Sequence, residues 1–168
     1  MLNFVFPAAE NCGDVQSFYD EITANGGDCI GIGNYKNYGL WLNEMKNRYT
    51  GENLQKGYVR ENFYLCYDAG VLVGVFSLKF ELTDFLLSYG GHIGYAVRNF
   101  QRNRGVATQI LKYGLQLAKQ FGFCRVLCVC DEDNYASKKV IVKNGVTLEN
   151  TLYDPNEGVI VKQYWISL

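Results

Sequence analysis

The stretch GGHIGYAVRNFQRNRGVA, residues 90–107, decides the fold that we predict for this chain. It begins with strand-forming residues at 92–97, continues through a polar turn, and ends where a helix begins after Gly105. The first N–H groups of a helix lack an intrahelical partner and carry partial positive charge. Because Arg102 and Arg104 add charged donors, this turn predicts a binding site for an anionic group such as a phosphate.

The composition is that of an ordinary globular protein. The chain has 168 residues, of which 48% are apolar and 20% charged, and we predict a single domain over residues 1–168. A net charge of −1 and a pI of about 5.8 favour neither nucleic acid nor a membrane as a partner. No apolar run reaches membrane-spanning length, and no signal peptide is evident. We therefore expect a cytoplasmic protein.

The six cysteines predict buried, reduced thiols. None of them forms a C-x-x-C pair, and the chain has one histidine, His92, so we expect no metal site. Cys128 and Cys130 lie two residues apart in a predicted strand, which places them on one face of the sheet. A nucleophilic cysteine would depend on His92 as its base.

Hydrophobic periodicity predicts an α/β (α+β) fold in which helices flank a mixed central β-sheet of about six to seven strands. The clearest helix covers residues 108–121, and it connects the strand at 92–97 to an apolar strand at 124–130, as in a crossover between near-parallel strands. Residues 28–38 are rich in glycine and asparagine and predict a loop. The other predicted strands cover 2–6, 62–67, 71–80, 146–152 and 159–166. Three further helices are predicted: the first follows a cap at Asp14, the second begins near Leu40, and the third covers 136–144.

Two motifs resemble the GNAT family of N-acetyltransferases. RNRGVA, residues 102–107, is similar to the Gln/Arg-x-x-Gly-x-Gly/Ala pyrophosphate loop of that family. DEDNYASKKVIVKNG, residues 131–145, resembles the segment that follows its fifth strand. With the terminal QYWISL, these motifs look like a bacterial subgroup described only as predicted acetyltransferases. The resemblance covers the whole chain and implies a GNAT-like fold.

The resemblance also implies acetyl-CoA (coenzyme A) as the cofactor and an N-acetyltransferase activity. The pantetheine arm would enter where the fourth and fifth strands separate, and a backbone N–H near Ala96 or Val97 would polarise the acetyl carbonyl. The cofactor-binding residues that it implies are Tyr95, Ala96, Val97, Arg102, Asn103, Arg104, Gly105, Val106, Ala107, Thr108, Asn134, Ala136 and Ser137.

Several residues are candidates for the two proton transfers of the reaction, to the departing thiolate and from the attacking amine. In many GNAT enzymes a tyrosine protonates the departing thiolate, and it lies four residues before the glycine that ends the last helix. Ile141 occupies that position here, and Tyr135 is the nearby alternative. His92 is the first candidate base, because the ordinary pKa of histidine is near 6.5. A structural His92, hydrogen-bonded to a neighbouring loop, is the competing interpretation. Glu81 and Asp131 are further candidate bases.

We therefore predict direct transfer of an acetyl group from acetyl-CoA to an amine of an unidentified acceptor. The expected partner is a small-molecule or peptide amine, and the expected state is a monomer or a homodimer. The alternative is a coenzyme A-binding sensor or scaffold without catalysis, which Ile141 favours. A nucleotide-binding domain is a weaker interpretation, because the chain contains neither G-x-x-x-x-G-K-[ST] nor G-x-G-x-x-G.

Overall fold

The computed structural model describes residues 1–27, 29, 31–33, 35 and 37–168. The loop predicted at residues 28–38 lies in part outside these residues. None of the described helices has the length and apolar character needed to cross a lipid bilayer. The elements are β1 (Asn3–Val5), α1 (Cys12–Ala24), α2 (Tyr38–Thr50), β2 (Glu61–Asp68), β3 (Val71–Lys79), β4 (Ile93–Val97), α3 (Val106–Gln120), β5 (Arg125–Asp131), α4 (Tyr135–Lys143), β6 (Asn150–Asp154) and β7 (Val159–Ser167).

The predicted fold class is confirmed, and the described strands belong to two antiparallel sheets. One sheet has the order β1-β2-β3-β4 and the other has the order β5-β7-β6. The sheets meet where β4 lies beside β5. There the His92 N–H donates to the Leu127 carbonyl over 2.8 Å, and the Leu127 N–H donates to His92 Nδ1 over 2.9 Å. Beyond this contact the described residues of β4 and β5 form no ladder, so the two strands separate.

The close approach at this junction requires a glycine. Gly91 has a φ of +71°, and a Cβ at this position would lie 2.7 Å from the Leu127 carbonyl oxygen. A side chain would therefore push β4 away from β5.

The helices cover the two faces of the first sheet. α3 packs over β3 and β4 with buried Ile110, Leu111 and Gly114. α1 and α2 pack over the opposite face, where Phe18 and Trp41 are buried. Each face of the first sheet is therefore covered by a different set of helices.

Several predicted boundaries differ from the structure. α1 begins at Cys12 with Asn11 as its N-cap, so Asp14 lies in the first turn instead of capping the helix. β6 begins at Asn150, four residues later than predicted, because Val146 is buried in the core before the strand starts. A further helical turn lies at Leu86–Gly90, between β3 and β4.

Candidate functional site

A cleft of about 1680 Å³ opens where β4 and β5 separate. We call its two extremities the helix end and the charged end. The helix end follows the last residue of β4, and the charged end lies beside its first residues. The helix end comprises Gln101, Arg102, Asn103, Gly105, Val106, Ala107, Thr108, Asn134, Ala136, Ser137, Lys139 and Lys143, and the charged end comprises Arg48, Lys56, Tyr58, Glu61, Lys79 and Asp84.

The middle of the cleft exposes backbone groups of β4 that do not pair with β3, and of these the Val97 carbonyl accepts from Arg102 Nε over 3.4 Å. Hydrogen-bonded and non-hydrogen-bonded pairs alternate along an antiparallel ladder. The Arg98 N–H donates to the Val73 carbonyl over 2.9 Å, so the register directs Ala96 toward β3 and Tyr95 and Val97 away from it. The backbone groups of Tyr95 and Val97 therefore face the opening toward β5.

β5 presents matching groups from the opposite side. The Leu168 N–H donates to the Cys124 carbonyl over 3.0 Å, and the register then directs Val129 away from β7 and toward β4. Two open strand edges thus face each other, and an extended chain of amides could pair with them as an added strand does. Of the two predicted carbonyl-polarising groups, the Val97 N–H points into this opening and the Ala96 N–H points into the ladder with β3.

The N-terminus of α3 forms the first part of the helix end. Gly105 has a φ of +80°, and no atom lies within 4 Å of the position that a Cβ would take. Within the described part of the chain, the N–H groups of Val106, Ala107 and Thr108 donate no hydrogen bond. These donors, together with the Arg102 side chain on the cleft wall, suit a phosphate.

Arg104 lies away from this wall. Its guanidinium donates to Gln101 Oε1 over 3.5 Å, and it lines a separate small cavity with Leu2 and Asp68. Arg102 and Arg104 are close in sequence, but the turn between them directs Arg102 to the cleft and Arg104 to the small cavity. The other twelve predicted cofactor-binding residues all line the cleft.

The N-terminus of α4 forms the second part of the helix end. The Asn134 side chain accepts from the Ser137 N–H over 3.0 Å and caps the helix. Lys139 and Lys143 line the same wall, and the sequence analysis missed them. Their i, i+4 spacing on the predicted helix was the signal that could have identified them, because it places both ammonium groups on one face.

Tyr95 is the buried polar side chain in the middle of the cleft. Its Oη forms no hydrogen bond within the described part of the chain. Burial raises the pKa of this phenol, and Ser137 opposes that rise. The Ser137 hydroxyl is therefore near enough to influence the phenol, although its geometry does not complete a hydrogen bond.

His92 lies at the junction of the two sheets and does not line the cleft. It is 8% exposed, its Nδ1 accepts the Leu127 N–H, and its ring packs edge-on against Phe123 and Trp165. Burial and the nearby Lys79 ammonium lower the pKa of His92 to about 4. This geometry favours the structural interpretation that the sequence had left open.

Of the other catalytic candidates, Asp131 lines the cleft at the end of β5, whereas Glu81 and Tyr135 are outside the cleft wall. Glu81 is exposed, and its carboxylate accepts the Arg60 N–H over 3.2 Å. Tyr135 is 66% exposed, and the Lys138 ammonium lies over its ring at 4.3 Å. Neither side chain contacts the open edges of β4 and β5.

The charged end contains a buried ion-pair network that the sequence analysis missed. Glu61 is 3% exposed and pairs with Arg48 over 2.9 Å and with Lys79 over 3.5 Å, and Arg48 also pairs with Glu44. Burial opposes ionisation of Glu61, but the two cations outweigh it and lower the pKa of the carboxyl group. The network presents charges of both signs to the cleft.

Comparison with known proteins gives the family. The model of the acetyltransferase (GNAT) family matches residues 24–146. None of the curated protein sequences gives a significant match.

Solved structures share the fold at low sequence identity. A putative acetyltransferase, yncA, from Salmonella typhimurium, solved with acetyl-CoA, is 13% identical with a TM-score of 0.69, and the alignment covers 99% of this chain and 94% of that chain. The microcin C7 self immunity acetyltransferase MccE, in complex with acetyl-CoA and AMP, is 17% identical with a TM-score of 0.72 and coverages of 99% and 92%. An acetyltransferase from Salmonella typhimurium that modifies the N-terminal serine of ribosomal protein L7/L12 is 18% identical with a TM-score of 0.73 and coverages of 99% and 95%.

The fold, the open strand edges and the helix end agree with these comparisons. Because the family model covers well over half of the residues, the chain belongs to the acetyltransferase (GNAT) family.

Proposed function

We propose that this protein is an acetyl-CoA-dependent N-acetyltransferase that moves the acetyl group directly from the thioester to an amine. One observation carries the proposal, namely that one cleft contains the open edges of β4 and β5, a helix end with unpaired backbone donors, and a charged end. Acetyl-CoA is the cofactor of this family, and it supplies the activated acetyl group as a thioester. We further infer that residues 1–168 act as one domain.

The residues of the helix end would hold the cofactor. The N–H groups of Val106, Ala107 and Thr108, with the Arg102 side chain, would bind the pyrophosphate. Asn134, Ala136 and Ser137 would flank the pantetheine arm, as the family resemblance implies. The space beside Gly105 leaves room for this approach.

The Val97 N–H would stabilise negative charge on the acetyl oxygen. A preorganised donor in a site that excludes water contributes more in the transition state than in the ground state. The register of β4 directs this N–H into the cleft, so it needs no rearrangement to act.

The proton of the acceptor amine leaves to water in our proposal. An amine with a pKa near 10 must lose a proton before it attacks. His92 is a weak base, since its pKa is about 4 and its Nδ1 is already hydrogen-bonded. Glu81 and Tyr135 are outside the cleft wall, but Asp131 lines it. Burial raises the pKa of the Asp131 carboxyl group, so Asp131 would receive the proton from that water.

Direct transfer is favoured over an acetyl-cysteine route. Cys128 and Cys130 line the cleft. Burial raises the pKa of Cys128 to about 12 and that of Cys130 to about 11. The thiolate is the nucleophilic form, so these protonated thiols attack a thioester slowly.

The acceptor is an amine of a small molecule or a peptide. One structural neighbour modifies the N-terminal serine of a ribosomal protein, which is an acceptor of the peptide class. Charges of both signs at the charged end suit an acceptor that carries further polar groups beside its amine. We infer a cytoplasmic location, because Cys66, Cys128 and Cys130 are buried free thiols, and a monomer or homodimer is the state that we propose.

A coenzyme A-binding sensor without catalysis is the alternative. Ile141 is 1% exposed and packs into the core, so the position of the usual tyrosine offers no hydroxyl group. The sensor would bind coenzyme A through the same helix end.

The test measures turnover and binding in parallel. Acetyl-CoA is incubated with the protein and a panel of amines (a polyamine, an aminoglycoside, amino acids and a peptide with a free N-terminus), and thiol release is followed. Calorimetric titration with coenzyme A measures binding. Turnover of at least one amine supports the enzyme, binding without turnover supports the sensor, and absence of binding contradicts both.

A further inference from the structure

Tyr95 carries a buried hydroxyl group that the fold itself does not satisfy. Its Oη is inaccessible to solvent and forms no hydrogen bond within the described part of the chain. Buried polar atoms almost always have a partner, and leaving one unpaired is costly. A hydroxyl of this kind on the wall of a binding cleft indicates a partner that arrives with a ligand.

The position of Tyr95 indicates which part of a ligand it meets. The residue lies in the middle of β4, where its own backbone groups form the open edge, and its ring packs on the face of the sheet covered by α3 and α4. Its Oη lies near Ser137 and near the thiols of Cys128 and Cys130 on β5. Tyr95 therefore lies where β4 faces β5, between the helix end and the charged end, and this is where the reacting group of an extended cofactor would lie.

Few other donors are available there. The described side chains of this part of the wall offer the Ser137 hydroxyl and two thiols, and thiols are weak donors. Ile141 on α4 faces the same region with an aliphatic side chain. The phenol is thus a buried donor beside the open edges that has no partner within the described part of the chain.

We propose that Tyr95 Oη donates a hydrogen bond to the sulfur of the cofactor while the carbon–sulfur bond breaks, which makes Tyr95 a catalytic residue of the reaction proposed above. The electron pair of that bond moves to the sulfur, the carbonyl carbon forms its new bond to the acceptor nitrogen, and the nitrogen loses its proton to water. The hydrogen bond is stronger to the thiolate than to the thioester, because bonds to charged acceptors are stronger.

Tyr95 acts as a hydrogen-bond donor and keeps its proton. Burial raises the pKa of Tyr95 above the ordinary value of 10, whereas the pKa of a thiol is about 8.5. Proton transfer from the phenol to the thiolate is therefore uphill. A thiolate is a stable enough leaving group to depart with a hydrogen bond alone.

The decisive experiment measures the pKa of the coenzyme A thiol on the protein by following thiolate absorbance during a pH titration. In the wild type, the hydrogen bond holds this pKa below that of free coenzyme A. Tyr95→Phe should raise it by about one pH unit relative to the wild type. The same variant should lower kcat about tenfold while the KM for acetyl-CoA stays constant.

A matched variant controls for loss of a tyrosine hydroxyl elsewhere. Tyr153 is 62% exposed on β6 and does not line the cleft, so Tyr153→Phe should leave the thiol pKa unchanged. Tyr95→Phe removes a hydroxyl without a partner in the unbound protein, so its melting temperature should equal or exceed that of the wild type.

The outcomes separate this proposal from the proposed function. An unchanged thiol pKa in a Tyr95→Phe variant that still binds coenzyme A would overturn the role of Tyr95 and leave the acetyltransferase proposal intact. Weaker acetyl-CoA binding with an unchanged thiol pKa would assign the hydroxyl to another part of the cofactor and also overturn the contact with sulfur. Absence of coenzyme A binding by the wild type would contradict the proposed function itself.

Discussion

The two ends of the cleft are built from different kinds of groups. The helix end uses backbone N–H groups and side chains from two continuous segments, the turn into α3 and the first turns of α4. The charged end combines side chains from three separate elements. Arg48 comes from α2, Glu61 from β2 and Lys79 from β3, and they meet as buried ion pairs.

This difference explains what each end does to stability and to binding. Backbone donors at a helix N-terminus exist once the helix forms, so the helix end should affect ligand affinity more than folding. Buried charges require each partner to offset the loss of hydration, so the charged end should affect folding more than cofactor affinity. Glu61→Gln and Gly105→Val test this contrast at the two ends, and His92→Gln tests the junction of the two sheets. They follow in order of decreasing expected effect.

Glu61→Gln should lower the free energy of unfolding by about 3–5 kcal/mol, because it leaves Lys79 without its carboxylate partner and leaves Arg48 with Glu44 alone. Urea denaturation measures the loss, and calorimetry on the folded variant should give unchanged coenzyme A affinity. Glu149→Gln is the control, since its pair with Arg125 is about half exposed and should contribute at most about 1 kcal/mol. Equal losses of unfolding free energy in the two variants would show that the buried ion pairs stabilise the fold no more than the exposed pair does.

His92 should contribute stability that depends on pH. Its pKa in the folded protein is about 4, below the ordinary 6.5, so between these values the unfolded chain takes up a proton that the folded protein excludes. The stabilisation is therefore complete above pH 6.5, and roughly 3 kcal/mol of it is lost as the pH falls toward 4. The difference in unfolding free energy between the wild type and His92→Gln should shrink by that amount between about pH 7 and about pH 4.

Kinetics of His92→Gln distinguish the two interpretations of this residue. If His92 joins β4 to β5, the variant keeps the acidic limb of the pH–rate profile and loses thermal stability. A fall in kcat of about 100-fold, with loss of that limb and no change in stability, would instead establish His92 as the base.

Gly105→Val should weaken acetyl-CoA binding at least about tenfold, or roughly 1.4 kcal/mol, because the new side chain enters the space beside the α3 N-terminus. Strain at a φ of +80° is a second effect of this change. Gly122→Val provides the control, since Gly122 has a φ of +84°, equally open surroundings, and a position after the other end of α3. Calorimetric titration that finds equal affinity in both variants would remove the α3 N-terminus from the cofactor site.

Much of the helix end could be predicted from sequence, and the exceptions have physical causes. Gly105, Asn134 and Ser137 were identified because a turn, a cap and a helix start are local patterns. Arg104 was predicted to bind the cofactor with Arg102, but its side chain points away from the cleft, because proximity in sequence does not give the direction of a side chain in a turn. The preference for Val97 over Ala96 required the hydrogen-bond register between β3 and β4.

The charged end could not be predicted, because its partners are far apart in sequence. Arg48 and Glu61 are 13 residues apart and belong to different elements. Each of these charged residues alone is typical of a solvated surface, and only the packing of α2 against the sheet buries them together.

The sequence by itself determined the order of the strands and helices, the donor-rich turn before α3 and the family resemblance, because periodicity, glycine positions and helix starts depend on neighbouring residues. Only the tertiary structure decided that β4 and β5 separate beyond His92 and that His92 Nδ1 accepts the Leu127 N–H. It also decided that the Tyr95 hydroxyl has no partner within the described part of the chain. These features depend on which groups the fold brings together, and hydrogen-bond register and burial are properties of the assembled sheets.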